Sequence, residues 1–512
     1  MIPCRGALRL LPLVTCLLGG AVLRAEPASA QPGAAPAALP ATPAGRLVPE
    51  FLSVLNGGDF AALWEFAAAR YDTAFLRRQG GAEAAAAYWL NVHRQYGPLV
   101  VHAVDAGSAP EWYWFRSTAN RALIGIQFHL TEGPPHRITR HPLDRGGNPP
   151  GRPVPPRLAP AELSAYLDAY LDGAAEAGVF SGVVLLAHHG MPLFQGAYGQ
   201  ADRRHGVANH LDTRFHVASV GKVFTAVAIG QLLQQGRLSL DDRIDRFIPE
   251  YPRHIGGRAT IRHLLTHTSG IELDTIAEFE AAVREAGSVE ELLRAQLRFA
   301  RFLPDSAGYA PLARMDYTNE GVDLLGVIVE RVSGKAYDRY LRDHVFHPAG
   351  MLHSGVEYLA PVPHLARGYT PRADLDGTLV RGPLVENVRW LAARARPSGN
   401  HYTTAGDLLL FANALLGHRL LDAETTRLLT APAIEIAQDG TSRWAYGMGF
   451  EVVEQDGIPS IGHSGSFAGV SADFRMYPSL GVTLIVLSNY EFAAFPVADH
   501  VQEVLRKAFA PD

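Results

Sequence analysis

Phe215-His216-Val217-Ala218-Ser219-Val220-Gly221-Lys222-Val223-Phe224-Thr225 is the stretch on which the reading of this chain turns. Of the 46 basic residues only Lys222, Lys335 and Lys507 are lysine, and Lys222 stands three positions after a serine. Arginine stays charged and cannot act as a base, whereas a buried lysine can lose its proton. Val223, Phe224, Val227, Leu232 and Leu233 mark a helix that starts near Ser219 and stops at Gly236. Residues i and i+3 share a helical face, so the Ser219 hydroxyl and the Lys222 amine can meet. The helix N-terminus adds free N–H groups and a positive dipole end. A chance Ser-x-x-Lys is the competing reading of this motif taken alone.

Two further stretches bear on that choice. Met315-Asp316-Tyr317-Thr318-Asn319 precedes a helix carrying Val322, Leu325, Ile328 and Val329 and ending at Ser333-Gly334. An extended backbone there aims Tyr317 and Asn319 to one side. A tyrosine beside a cationic Lys222 is expected to have a lowered pKa and to act as general base. Asn319 can orient Lys222 or hold a substrate amide; its bland role is a helix N-cap. In Gly462-His463-Ser464-Gly465-Ser466, Gly465 lets an acyl group approach the backbone, and the N–H of Ser466 can join that of Ser219 as an oxyanion hole. The nucleophile elbow Gly-x-Ser-x-Gly fails here, because Ser466 stands where the second glycine belongs.

The ordered set Ser219-x-x-Lys222, Tyr317-x-Asn319 and His463-Ser464-Gly465 resembles the serine β-lactamase and penicillin-binding-protein superfamily, in its class C β-lactamase-like and esterase-like branch. The stretches Leu264 to Gly270, Tyr402 to Leu408 and Tyr446 to Phe450 add to the resemblance, which spans about residues 160 to 510. It implies an acylated Ser219, acid–base work shared by Lys222 and Tyr317, and Asn319, His463, Ser464 and Gly465 as substrate-binding or orienting groups. It implies no metal and no organic cofactor. One departure matters: many members carry lysine where this chain has His463, which is largely neutral at pH 7 if unperturbed and weakens recognition of a substrate carboxylate.

Beyond the site, 512 residues call for more than one domain, and 47% hydrophobic with 19% charged residues describe a globular protein. A net charge of −5 without a long basic run excludes a nucleic-acid binder. Residues 1–30 read as a signal peptide: Arg5 and Arg9, an apolar run from Leu10 to Leu23, and Ala28-Ser29-Ala30 as a cleavage site, with cleavage after Ala25 as the alternative. Export to the periplasm or medium follows, with no transmembrane anchor once the signal is removed. Cys4 and Cys16 lie inside that segment, so the mature chain has no disulfide; a lipid anchor on Cys16 is a minor alternative.

Residues 31–45 read as an Ala/Pro-rich tether and 142–158 as a Pro-rich linker. Between them, residues 46–141 show a helix starting near Pro49, further helical runs and then alternating strands. That pattern resembles the ketosteroid isomerase-like cone fold. Residues 159–510 form the large domain, with strand-like runs at both of its ends, which suggests one antiparallel sheet completed by both termini. The fold class expected is α+β: a β-lactamase-like domain, with its sheet flanked by helices plus an all-helical region, behind a small α+β cone-like domain.

His267 and Ser269 read as part of a structural loop, His188-His189 and the His136/His141 pair as surface histidines, and Trp112, Tyr113 and Trp114 as sheet packing. The expected function is an exported serine hydrolase acting on a small-molecule or peptide acyl substrate, an ester or amide. The alternatives are a D,D-peptidase or β-lactamase, and a non-catalytic binding or sensor protein.

Overall fold

The computed structural model describes residues 38–78, 80–144, 157–271, 273–274, 277–299, 301–302, 315–356, 362–373, 380, 382–392, 394–439 and 442–509. The expected signal segment, both cysteines, most of the tether and residues 145–156 of the expected linker lie outside the described residues. So do residues 272, 275, 276, 300, 303–314, 357–361, 374–379, 381 and 393.

Helices α1 (Pro43–Gly57), α2 (Phe60–Arg70) and α3 (Gly81–Tyr96) come first. They pack on a sheet of order β1 (Leu99–Asp105), β2 (Trp112–Ser117), β3 (Leu123–Gln127) and β4 (Leu143–Asp144). Strand alternation sends Tyr113, Phe115, Ile124 and Ile126 into the helices, where Phe51 meets Trp89 edge-on at 4.7 Å. Trp112 and Trp114 stack with their ring centroids 6.0 Å apart.

The first helix begins earlier than expected. Thr42 caps it by accepting a hydrogen bond from Gly45 N, Pro43 fills its first turn, and Pro49 lies inside it. Residues 43–45 of the expected tether are therefore helical. His141 is not a free surface residue either: it packs among the rings of Tyr71, Phe75, Tyr88 and Trp89, and burial lowers its pKa to about 4.

The larger unit opens with α4 (Pro160–Glu176), which touches the smaller one where the Tyr170 hydroxyl donates to Asn120 O at 2.8 Å. Its frame is an eight-stranded antiparallel sheet. Two strands come early, β5 (Gly182–His188) and β6 (Met191–Tyr198). Six come late: β7 (Ile434–Asp439), β8 (Ser442–Tyr446), β9 (Glu451–Gln455), β10 (Ile458–Phe467), β11 (Val470–Tyr477) and β12 (Val482–Ser488). The order is β7-β8-β9-β10-β11-β12-β5-β6, so the last strand pairs with the first of the large unit, Gly182 opposite Ser488.

Every residue of β12 is buried, because both faces of the sheet are covered. Val183, Leu185, Ile485 and Leu487 face a helical region that includes α5 (Lys222–Gln234), α6 (Asn319–Ser333) and α7 (Ala405–Leu416). Val184, Leu186, Leu484 and Val486 face α4 and the final helix α8 (Ala494–Phe509), which presents Val497, Val501, Val504 and Leu505. Each such side chain contributes about 1.5–3 kcal/mol by leaving water. Among the described residues no helix is long and apolar enough to cross a membrane.

Candidate active site

Ser219 sits in a 3₁₀ turn, Ala218–Gly221, that runs directly into α5. The turn enters with Ala218 at φ 44°, a left-handed conformation that costs a non-glycine residue about 1–3 kcal/mol and persists only where neighbours enforce it. Asn400 N helps by donating to Ala218 O at 2.9 Å. Two glycines allow the close packing. A Cβ on Gly221 would lie 2.1 Å from His401 Nδ1, and one on Gly465 would lie 2.5 Å from Val217 O and 2.8 Å from Ser219 N. Strand β10 can thus press its backbone against Ser219 only because position 465 has no side chain.

The helical spacing delivers the expected contact. Lys222 Nζ donates to Ser219 Oγ at 3.0 Å, to Asn319 Oδ1 at 2.8 Å and to Ser398 O at 2.6 Å. It is 1% exposed. Burial lowers its pKa from 10.5 to about 7; Asp323 pulls it back up and Arg396 pushes it down. Thr318 is the extended residue before α6, and Asn319 is the first helical residue rather than the cap. The Tyr317 ring lies 4.8 Å from Lys222 Nζ and stacks on His267 at 4.3 Å. Tyr317 is 44% exposed as a whole residue, but its hydroxyl end meets the Ser219 hydroxyl inside the site. The expectation of a lowered phenol pKa is corrected: burial raises it well above 10, the bond to Ser219 opposes that, and the phenol is neutral at pH 7.

The third motif forms the facing wall. His463 is 1% exposed, Ser464 and Ser466 are half-buried, and Gly465 packs on the nucleophile loop. A chain of hydrogen bonds fixes the tautomers of two histidines. Thr318 N can only donate, so His267 Nδ1 accepts, at 3.3 Å, and the His267 proton sits on Nε2. Nε2–H then donates to the Tyr446 hydroxyl at 3.2 Å, and the Tyr446 hydroxyl donates to His463 Nε2 at 3.0 Å. The remaining proton, on His463 Nδ1, goes to Ser464 O at 2.6 Å. Burial lowers the His463 pKa to about 4, with Glu451 opposing, and burial holds His267 well below 6.5. Both imidazoles are neutral at pH 7.

Sequence reasoning missed the groups behind these residues. Asp323, 1% exposed, takes Arg396 as an ion-pair partner and accepts from Ser398 N at 3.1 Å, so it holds the carbonyl that receives Lys222. On the wall, Glu451 pairs with Arg475 and accepts from Ser464 Oγ at 2.8 Å. Burial pushes the Glu451 carboxyl up, but Arg475 and His463 outweigh it and hold it at about 2. His267, expected to be only a loop residue, is the start of the hydrogen-bond chain. The Leu264–Gly270 and Tyr446–Phe450 stretches were the available signal for His267 and Tyr446; nothing in the residue pattern marked Asp323, Arg396 or Ser398.

A cleft of about 430 Å³ opens over Ser219 between these walls. Met315, Ile436, Trp444 and Phe495 supply its apolar lining, and Glu451 is the ionised side chain among the described residues that line it.

A hydroxyl bonded to a buried amine of near-neutral pKa, at the start of a helix and against a glycine-bearing strand, defines the class of serine acyl-transferases and hydrolases. The chain belongs to the beta-lactamase family, whose model matches residues 164–507. It is 28% identical over 314 residues to the putative penicillin-binding protein PbpX of Bacillus subtilis, covering 60% of this chain and 70% of that protein. It is 30% identical over 327 residues to penicillin-binding protein 4 of Amycolatopsis lactamdurans, covering 60% and 81%. Among solved structures, the D-amino acid amidase from Ochrobactrum anthropi SV3 complexed with D-phenylalanine superposes with a TM-score of 0.56 at 25% identity, covering 68% of this chain and 98% of that one. The penicillin binding protein from Bacillus halodurans gives 0.55 at 27%, covering 67% and 99%.

Proposed function

We propose that this protein is an exported serine hydrolase that cleaves an ester or amide through an acyl-enzyme on Ser219. The observation that carries the reading is the neutral-poised amine of Lys222, 3.0 Å from the Ser219 hydroxyl. In the forward step Lys222 takes the hydroxyl proton as Oγ bonds to the substrate carbonyl. The developing oxyanion is met by the N–H groups of Ser219 and Ser466. The bond to the leaving oxygen or nitrogen then breaks, and that atom takes a proton through the Tyr317 phenol. With its pKa high, Tyr317 serves as a donor and relay, while Lys222 is the base. Water completes the cycle by the same path in reverse. Asn319 orients Lys222, and Ser464 and Gly465 shape the wall. The reading of residues 1–30 as a signal peptide supports a periplasmic or secreted location.

The second reading, a D,D-peptidase or β-lactamase, draws support from relatives named as penicillin-binding proteins. The neutral His463 weighs against it. A fluorophosphonate probe tests the main reading: it should label the wild-type protein at Ser219 and leave Ser219→Ala unlabelled and without turnover. Wild-type protein that stays unlabelled overturns it. Stable labelling by a fluorescent penicillin, together with slow hydrolysis of simple esters, favours the second reading.

A further inference from the structure

The position occupied by His463 is where a substrate carboxylate would look for a cation, and the hydrogen-bond chain closes that option. Nε2 of His463 accepts from Tyr446, and the proton on Nδ1 goes to Ser464 O. Neither nitrogen has an N–H left for a ligand. Adding a second proton at Nε2 would face it with the Tyr446 hydroxyl, which would then have to turn its own proton away. His267 Nε2 already carries a proton, so that hydroxyl proton would be left buried without an acceptor on either imidazole. Lys222 is no open anion site either: its amine is already engaged by Ser219, Asn319 and Ser398.

Among the described residues that line the cleft, the charged side chain is a carboxylate. Glu451 lines it beside Ser464, held as a carboxylate by Arg475, which is itself only 6% exposed and turned to Glu451 and Asp473. The apolar part of the lining is Met315, Ile436, Trp444 and Phe495. An anion entering here would lose its water, find no donor on His463 and stand near a fixed carboxylate.

We infer that the cleft selects acyl groups that carry no negative charge, so that the substrate is a neutral, largely apolar ester or amide, and that the Tyr446–His463 hydrogen bond and the Glu451 carboxylate are what exclude an anionic one. This rests on the Ser219 acyl-enzyme reading.

The test compares two p-nitrophenyl esters of nearly equal length that differ in charge: the mono-ester of adipic acid with its free carboxylate, and the same compound capped as a methyl ester. Fluorophosphonate labelling of the same preparation reports the nucleophile. Wild-type enzyme from a preparation whose separate aliquot labels at Ser219 should favour the capped ester by about tenfold or more in kcat/KM. His463→Lys places an ammonium beside Glu451 and should narrow that ratio by about tenfold, the acidic ester gaining relative to the capped one. Should His463→Lys not fold, the wild-type ratio decides by itself. An enzyme that labels at Ser219 yet turns over the acidic ester as well as the capped one overturns the selection and leaves the acyl-enzyme standing. Absence of both labelling and turnover brings down the two together.

Discussion

Two buried arginine–carboxylate pairs flank Ser219, one beneath the helical side and one behind the sheet side, and they do different work. Arg396–Asp323 is not among the described residues that line the cleft, and the second Asp323 carboxylate oxygen accepts from the backbone N–H of Ser398. Its two charges act on Lys222 in opposite senses, with Asp323 the larger influence of the two. Arg475–Glu451 is also buried, but Glu451 lines the cleft beside Ser464. One pair sets where a proton rests, and the other sets what charge a ligand meets. The pairing chemistry is the same; which end reaches the cavity decides the role.

The largest effect expected is on the helical side. Lys222→Arg keeps a positive charge but removes the base, and kcat should fall about 10³-fold at every pH. In the wild type only the neutral amine accepts the serine proton, so kcat/KM should rise through about pH 7 and then level; this limb should vanish in the arginine variant. The same group affects stability. Its folded pKa lies below the unfolded 10.5, so the unfolded chain binds more protons between about pH 7 and 10.5, and the Lys222 contribution to stability improves as pH rises across that window. A rate profile without a limb near pH 7 would deny Lys222 its role.

On the sheet side, Gly465→Ala should cost about 10²-fold in kcat, because the new Cβ must push β10 away from Ser219 N and open the space for the oxyanion. Unchanged kcat would show that the wall does not contribute a donor. The finest test sets the two pairs against each other. Asp323→Asn should cost about 1–3 kcal/mol in denaturant unfolding, since it weakens a mostly buried ion pair and leaves Arg396 with Glu320 alone among the described residues. It should also move the acid limb of kcat/KM to lower pH, because Asp323 is the main neighbour that raises the Lys222 pKa. Glu451→Gln, which leaves Arg475 its pairing with Asp473, should move that limb less and instead raise the relative rate on acidic esters. Equal shifts of the limb in the two variants would erase the distinction between the pairs.

Much of this was readable from the residues. The i, i+3 spacing of Ser219 and Lys222 is a local property of a helix, and the strand-like runs at both ends of the large unit declare themselves by alternation. What escaped depends on backbone atoms and on loops distant in sequence. The acceptor that completes the Lys222 shell is the carbonyl of Ser398, 176 positions away, which any residue type could supply. The direction of the Tyr446–His463 bond is set by Thr318 N and Ser464 O, and no residue pattern displays either. The Tyr317 phenol was expected to respond to the charge on Lys222, but desolvation is the larger influence once the ring packs on His267. The first helix was placed late because Pro49 drew the eye as a starter, when Thr42 and Pro43 already provide a cap and a first turn.

The pairing of Gly182 with Ser488 spans roughly 300 residues of intervening chain. Contacts that distant form slowly and late. Ser219, Lys222 and Asn319 can come together from the middle of the chain, but the strand that faces them belongs to a sheet whose frame closes only when its last strand docks on its first. A partly folded chain would therefore carry a serine with no oxyanion donors opposite it, and competence should appear abruptly, with the final zippering of β12 onto β5, rather than grow by degrees.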